Sequence, residues 1–169
     1  MQKGGFFFMA QNGENFFQEQ KDWSKRKLSI VQQYLAGFTK ILGSSTSQPC
    51  VYYVDGFAGK GTYDKDLAKG SPVLAAEISQ EYRTEQKKYK LNCINIEANK
   101  KNFQNLVEST TQFQGMVENL FGTFSTQIPA ILKKIGNCPA FFFIDPFGVS
   151  GADWSDMIKI LHRSAPTDL

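Results

Sequence analysis

Histidine is almost absent: His162 is the one histidine in 169 residues. No cysteine lies near it in sequence, so a zinc site and a Cys-His nucleophile pair have little support. Its place late in a predicted helix, beside Arg163, suits a cation complementing the helix dipole. Cysteine is scarce too. Cys50, Cys93 and Cys138 are odd in number and far apart, each in or beside an apolar run. They read as buried thiols of a reducing compartment, and the expected localisation is cytoplasmic. Long hydrophobic runs are missing. The longest early one, Phe6 to Ala10, is shorter than a signal-peptide core and far short of the roughly 20 residues that span a bilayer. Charge of one sign is in equally short supply. Nineteen Lys and Arg against 16 Asp and Glu leave +3, too mild a balance to name a nucleic-acid or membrane partner by itself. What is plentiful is apolar surface, with 41% hydrophobic and 14% aromatic residues. A core of that richness needs no staple, and disordered and fibrous classes are excluded.

Against a soft prior of about 150 residues per domain, this length argues for one domain. Residues 1–22 are rich in Gly, Gln and Asn and hold two Phe clusters, Phe6 to Phe8 and Phe16-Phe17. They are expected to form an N-terminal cover segment over a core of residues 23–169. From Ser24, the expected cap, Leu28, Val31, Tyr34, Leu35, Phe38, Ile41 and Leu42 recur at spacings of three and four, which predicts an amphipathic helix ending at Gly43. Cys50 to Val54 lacks polar alternation, the mark of a strand buried on both faces. Ser71-Pro72 reads as the cap and first position of the next helix. The alternation then repeats: strand Leu91 to Glu97, helix Lys100 to about Ser109, strand near Gln114 to Leu120, helix from about Phe124 to Ile135, strand Ala140 to Asp145 and helix Trp154 to His162. This order predicts the α/β class, a mostly parallel sheet with helices on both faces. Four strands ordered 3-2-1-4 would leave Phe141 to Ile144 as an open apolar edge. Ala165 to Leu169 reads as a turn opening into a further strand. The expectation is a core truncated after strand four and its helix, or one whose exposed edge strand mediates association with another chain, including self-association.

The chemistry concentrates at strand ends. Asp55-x-Phe57-x-Gly59-x-Gly61 closes the first buried strand, where ligands of open α/β sheets bind and glycines let backbone approach a nucleotide-like ligand. A plain tight turn is the alternative. A P-loop is excluded because Lys60 is followed by Gly61 and not by Ser or Thr. A dinucleotide fingerprint is excluded because the helix opens about ten residues after the glycines. Glu97, ending the second strand, is placed to accept hydrogen bonds from ribose hydroxyls, although helix-dipole stabilisation would also favour a carboxylate there. Asp145-Pro146-Phe147-Gly148 follows four apolar residues. Pro146 would project Asp145 into the crevice beside the first strand, where it could take a proton from an amine; an ordinary Asp-Pro turn would use the same residues. Glu118 and Asn119, toward the end of strand three, could reach a base edge.

Taken together, Asp55-Gly56-Phe57-Ala58-Gly59-Lys60-Gly61, Gly70-Ser71-Pro72, Ile96-Glu97-Ala98-Asn99 and Phe143-Ile144-Asp145-Pro146-Phe147-Gly148 resemble the three-Cys-motif partner protein family, TcmP. Phe16-Phe17 and Trp23-Ser24-x-x-Lys27 are similar to that family's opening. The resemblance implies a Rossmann-like methyltransferase fold with S-adenosylmethionine as cofactor. Asp55, Phe57, Gly59 and Gly61 would surround its methionine part and Glu97 its ribose. Asp145, Pro146 and Phe147 would form the catalytic group, standing where amino methyltransferases carry D/N-P-P-F/Y. Phe147 and Gly148 depart from that pattern. The implied acceptor is a nucleic acid, to which Lys25-Arg26-Lys27 and Lys87, Lys88 and Lys90 could contribute charge. The implied protein partner carries the three-Cys motif. The other class of reading is a methyltransferase-like module that binds or regulates without turnover.

Overall fold

The computed structural model describes residues 5–45, 49–63, 68–146 and 151–169, with backbone alone for residues 5–23. In chain order its elements are α1 (Gly5–Ser45), β1 (Cys50–Asp55), β2 (Thr62–Tyr63), β3 (Ala68–Lys69), α2 (Ser71–Thr84), β4 (Lys90–Glu97), α3 (Lys100–Thr110), β5 (Val117–Phe121), α4 (Phe124–Ile135), β6 (Ala140–Phe143), α5 (Trp154–Leu161) and β7 (Thr167–Asp168). A five-stranded sheet runs in the order β5-β4-β1-β6-β7 with every neighbouring pair parallel. β2 and β3 pair separately as a small antiparallel hairpin. This is an α/β fold, and its four longer strands stand in the expected 3-2-1-4 order.

Strand periodicity sorts the side chains onto two helical layers. Val51, Tyr53, Leu91, Cys93 and Phe141 pack with Leu35 of α1 and with Ala75, Ile78 and Tyr82 of α2. Their alternates Val54, Ile94, Ile96, Ala140 and Phe142 pack with Ile128, Ile131 and Ile135 of α4 and Ile160 of α5. Both faces are covered, which is why these strands read as unbroken apolar runs.

Several boundaries differ from the sequence reading. Ser24 is not an N-cap, because α1 begins at Gly5 and runs uninterrupted across residue 22; no proline before Ser24 interrupts it. Gly70, not Ser71, caps α2. β5 starts at Val117 and not Gln114, since residues 111–113 form a 3-10 turn and Gly115 turns the chain at φ +74°. β6 stops at Phe143 because its neighbour β1 ends at the paired Asp55, leaving Ile144 and Asp145 beyond the sheet. The expected further strand is present as β7, and it covers the apolar edge only at its start, pairing with Ala140 and Phe141. From α1, the Tyr34 and Phe38 rings pack on Phe141 at 5.2 and 6.1 Å.

The cysteine reading changes as well. Parallel pairing of Tyr52 with Ala140 brings the start of β1 beside the approach to β6, and Cys50 and Cys138 are joined there as a disulfide with Cα atoms 6.0 Å apart. Of the expected free thiols, Cys93 alone is one, and it is buried. Among the described residues no helix is long and apolar enough to cross a membrane.

Candidate functional site

The loop after β1 is stitched across the carboxyl ends of its neighbours. The amide of Gly56 donates to the Phe143 carbonyl at 2.9 Å, that of Ala58 to the Ile96 carbonyl at 3.0 Å, and that of Gly70 to the Gly61 carbonyl at 2.7 Å. Gly59 and Gly61 take φ of +65° and +80°, a region costly for any residue with a Cβ. The two glycines serve different ends. A Cβ on Gly61 would meet Ser109 Oγ at 2.1 Å, so that glycine is needed for packing on α3. A Cβ on Gly59 would meet nothing within 4 Å. Its missing side chain leaves open space, as an approach path for a ligand requires.

That space belongs to a cleft of about 210 Å³ whose lining includes Phe57, Gly59 and Gly61, Ser71 at the start of α2, and Phe143 and Asp145 after β6. α1 closes one side with Ser24, Lys27 and Leu28. The structure thus brings four of the sequence-predicted site residues, Phe57, Gly59, Gly61 and Asp145, to one cavity at the centre of the sheet.

Asp55 lies beneath them, buried. Its carboxylate accepts from the Tyr53 hydroxyl at 3.0 Å, from the Phe57 amide at 3.2 Å and from the Ser71 hydroxyl. Burial pushes its pKa from 3.8 up to about 6, the three hydrogen bonds hold it down, and the charge of Asp145 adds to the rise. Burial, with the Asp55 charge, also raises the Tyr53 phenol well above its usual value. A polar row continues from Asp55 across the sheet, since Asp55, Asn95 and Asn119 are register partners. Asn95 donates to Asn119 at 2.9 Å and Asn119 to Thr110 at 2.8 Å. The Asn95 Oδ1 atom is buried without a hydrogen-bond partner among the described residues.

Glu97 stands behind the glycine loop. One carboxylate oxygen accepts from the Gly59 amide at 2.9 Å and the other from the Asn99 amide at 2.6 Å. It therefore fixes the loop to the start of α3 while each oxygen retains a further lone pair. Phe57 stacks on Phe124, with centroids 5.7 Å apart, and is among the residues lining the cleft. Asp145 is half exposed and ion-paired with Lys27. Pro146 adjoins it. Phe147 and Gly148 lie outside the described residues.

Glu118 and Asn119 are not brought to the cleft. β5 continues past them to Phe121, so they sit in mid-strand. Glu118 turns to the other face and pairs with Lys134 of α4, while Asn119 is committed to Asn95 and Thr110. Among the described residues no cluster of His, Cys, Asp and Glu could hold a metal.

Sequence reasoning missed Ser71 as a partner of Asp55, the Asn95 contribution to the polar row, and Lys27 as a cleft residue. Lys27 had a usable signal: it precedes Val31, Leu35 and Phe38 at helical spacing on the buried face of α1, whereas Lys25 and Arg26 are exposed. The comparisons with known proteins add no assignment. No family model and no curated protein matches this chain.

Proposed function

We propose that this chain is an S-adenosylmethionine-dependent methyltransferase-like domain whose acceptor is an amino group of a nucleic acid. The observation that carries the reading is the cleft itself: a positive-φ glycine loop at the end of the central strand, with Asp145 in its lining and Asp55 buried beneath it. Open space at Gly59 suits close approach by a ligand, and Asp145 brings a carboxylate to the lining of that space. When bound, the cofactor supplies an electrophilic methyl group on a sulfonium. The roles of the chain's own residues follow from their positions. Glu97 holds the Gly59 amide and offers its remaining lone pairs to ribose hydroxyls. Phe57 forms an apolar wall, and Ser71 and Tyr53 keep the Asp55 carboxylate in place. Asp145, at the mouth, would orient the acceptor amine and take its proton.

A second reading, a binding or regulatory module working with a partner protein, is favoured by one specific feature. Asp145 is already engaged by Lys27, and the residues after Pro146 depart from the amino-methyltransferase pattern. Transfer of a radiolabelled methyl group to DNA and RNA separates the two. The methyltransferase reading predicts label in nucleic acid, lost in Asp145→Asn while S-adenosylhomocysteine still binds. Cofactor binding with no label in any nucleic acid would support the second.

A further inference from the structure

Lys27 is the residue of the cleft that neither the sheet nor the glycine loop explains. It comes from α1, more than a hundred residues away in sequence from its partner, and it makes two contacts at the end of β6. Its Nζ is ion-paired with the Asp145 carboxylate and lies 5.8 Å from the centroid of the Phe143 ring. A carboxylate next to an aromatic face is a seat for a cation. Lys27 fills that seat with a group of the chain itself. The pair also joins α1 to the cleft, because Ser24, Lys27 and Leu28 of α1 line the same cavity as Gly59, Gly61 and Asp145.

We propose that the Lys27–Asp145 ion pair is a latch: it pins this turn of α1 across the cleft and withholds the Asp145 carboxylate until an entering ligand displaces Lys27. The identity of the ligand rests on the reading given under Proposed function; the latch does not. Both partners are partly solvated, with side-chain exposures of 32% and 50%. The pair is therefore a weak tie, open part of the time and easily exchanged for a ligand contact. That weakness suits a latch better than a structural staple. The surrounding helix is held independently, since Leu35 is buried in the core and Tyr82 donates to the Ala36 carbonyl at 3.0 Å. Opening can thus be local to the turn around Lys27.

Amide hydrogen exchange on the whole chain tests the latch without any ligand. Lys27→Met and Asp145→Asn are each expected to speed exchange of residues 24–31 by about two- to five-fold, the range an exposed ion pair can hold, with residues 35–42 unchanged. The double variant should be no faster than either single one, because both remove the same tie. Lys27→Arg, which keeps the charge, should exchange like the parent. Unchanged exchange in the single variants, or additive effects in the double one, would overturn the latch. Stopped-flow binding of S-adenosylhomocysteine adds the second arm, with a faster association rate expected in Lys27→Met. Equal association rates despite faster exchange would overturn the gating of entry. Faster exchange with no binding to any variant would leave the latch standing and count against the cofactor reading instead.

Discussion

Asp55→Asn is expected to make the protein more stable at neutral pH relative to the parent, and the gain should vanish in acid. The folded chain holds the Asp55 carboxyl at about 6 against 3.8 in the ordinary state, with burial the main cause. At 1.36 kcal/mol for each tenfold change, that difference amounts to about 3 kcal/mol of penalty for the ionised form. The direction follows from linkage. Between about pH 4 and 6 the folded state binds more protons at this site than the unfolded state, so the site's contribution to stability falls as pH rises through that window. Below pH 4 the acid is neutral in both states and the penalty is absent. An amide is neutral throughout and resembles the protonated acid in shape. Urea unfolding of the parent and Asp55→Asn at pH 4, 5, 6 and 7 isolates the site, because all other groups cancel in the difference. The difference should shift in favour of the variant by about 2–3 kcal/mol from pH 4 to pH 7. A difference flat to within about 1 kcal/mol, or one moving toward the parent, would refute the reasoning. Keeping a buried acid at such cost is expected of a functional site more than of a core.

Gly59→Val should leave the fold standing, at a cost of about 1–2 kcal/mol for the positive φ, while weakening cofactor binding at least ten-fold because its side chain would occupy the space above the loop. Thermal unfolding and titration with S-adenosylhomocysteine check both halves. Glu118→Ala should leave that affinity unchanged within two-fold, since its side chain pairs with Lys134 on the far face; a larger loss would show that mid-strand β5 does reach the ligand. Cys50→Ser should lower stability by about 2–5 kcal/mol, since the bond to Cys138 closes a sequence separation of 88 residues. Denaturation with and without a reductant checks it, and the parent should fall to the level of the variant when reduced.

Much of this architecture was legible because each element announces itself locally. The apolar run at Cys50 to Val54 and the spacing on α1 from Leu28 to Leu42 are signals carried by neighbours in sequence. The cleft was legible in the same way, since Asp55 to Gly61 and Asp145 end strands that the β-α-β order makes adjacent. What escaped depends on pairings across the fold. The Cys50–Cys138 bond exists because β1 and β6 are register partners, a fact no local spacing reports. β2 and β3 are two residues each, too short for any periodicity. β7 is equally short, but the turn at Ala165-Pro166 announced it, and Thr167–Asp168 is the further strand expected there. Glu118 was misplaced because the strand runs on to Phe121, which makes it a mid-strand residue, and alternation turns its side chain to α4, where it pairs with Lys134. Lys27 was hidden in a basic triplet whose other two members are solvated.

The most direct test of the account is calorimetric titration of the chain with S-adenosylhomocysteine, beside ATP and NAD, repeated with Glu97→Ala. The account predicts selective binding of S-adenosylhomocysteine, weakened at least ten-fold in the variant, because Glu97 fixes the Gly59 amide and is the residue proposed to accept from the ligand's ribose. A folded chain that binds ATP or NAD equally well, or that binds S-adenosylhomocysteine with the same affinity when Glu97 is removed, would contradict it.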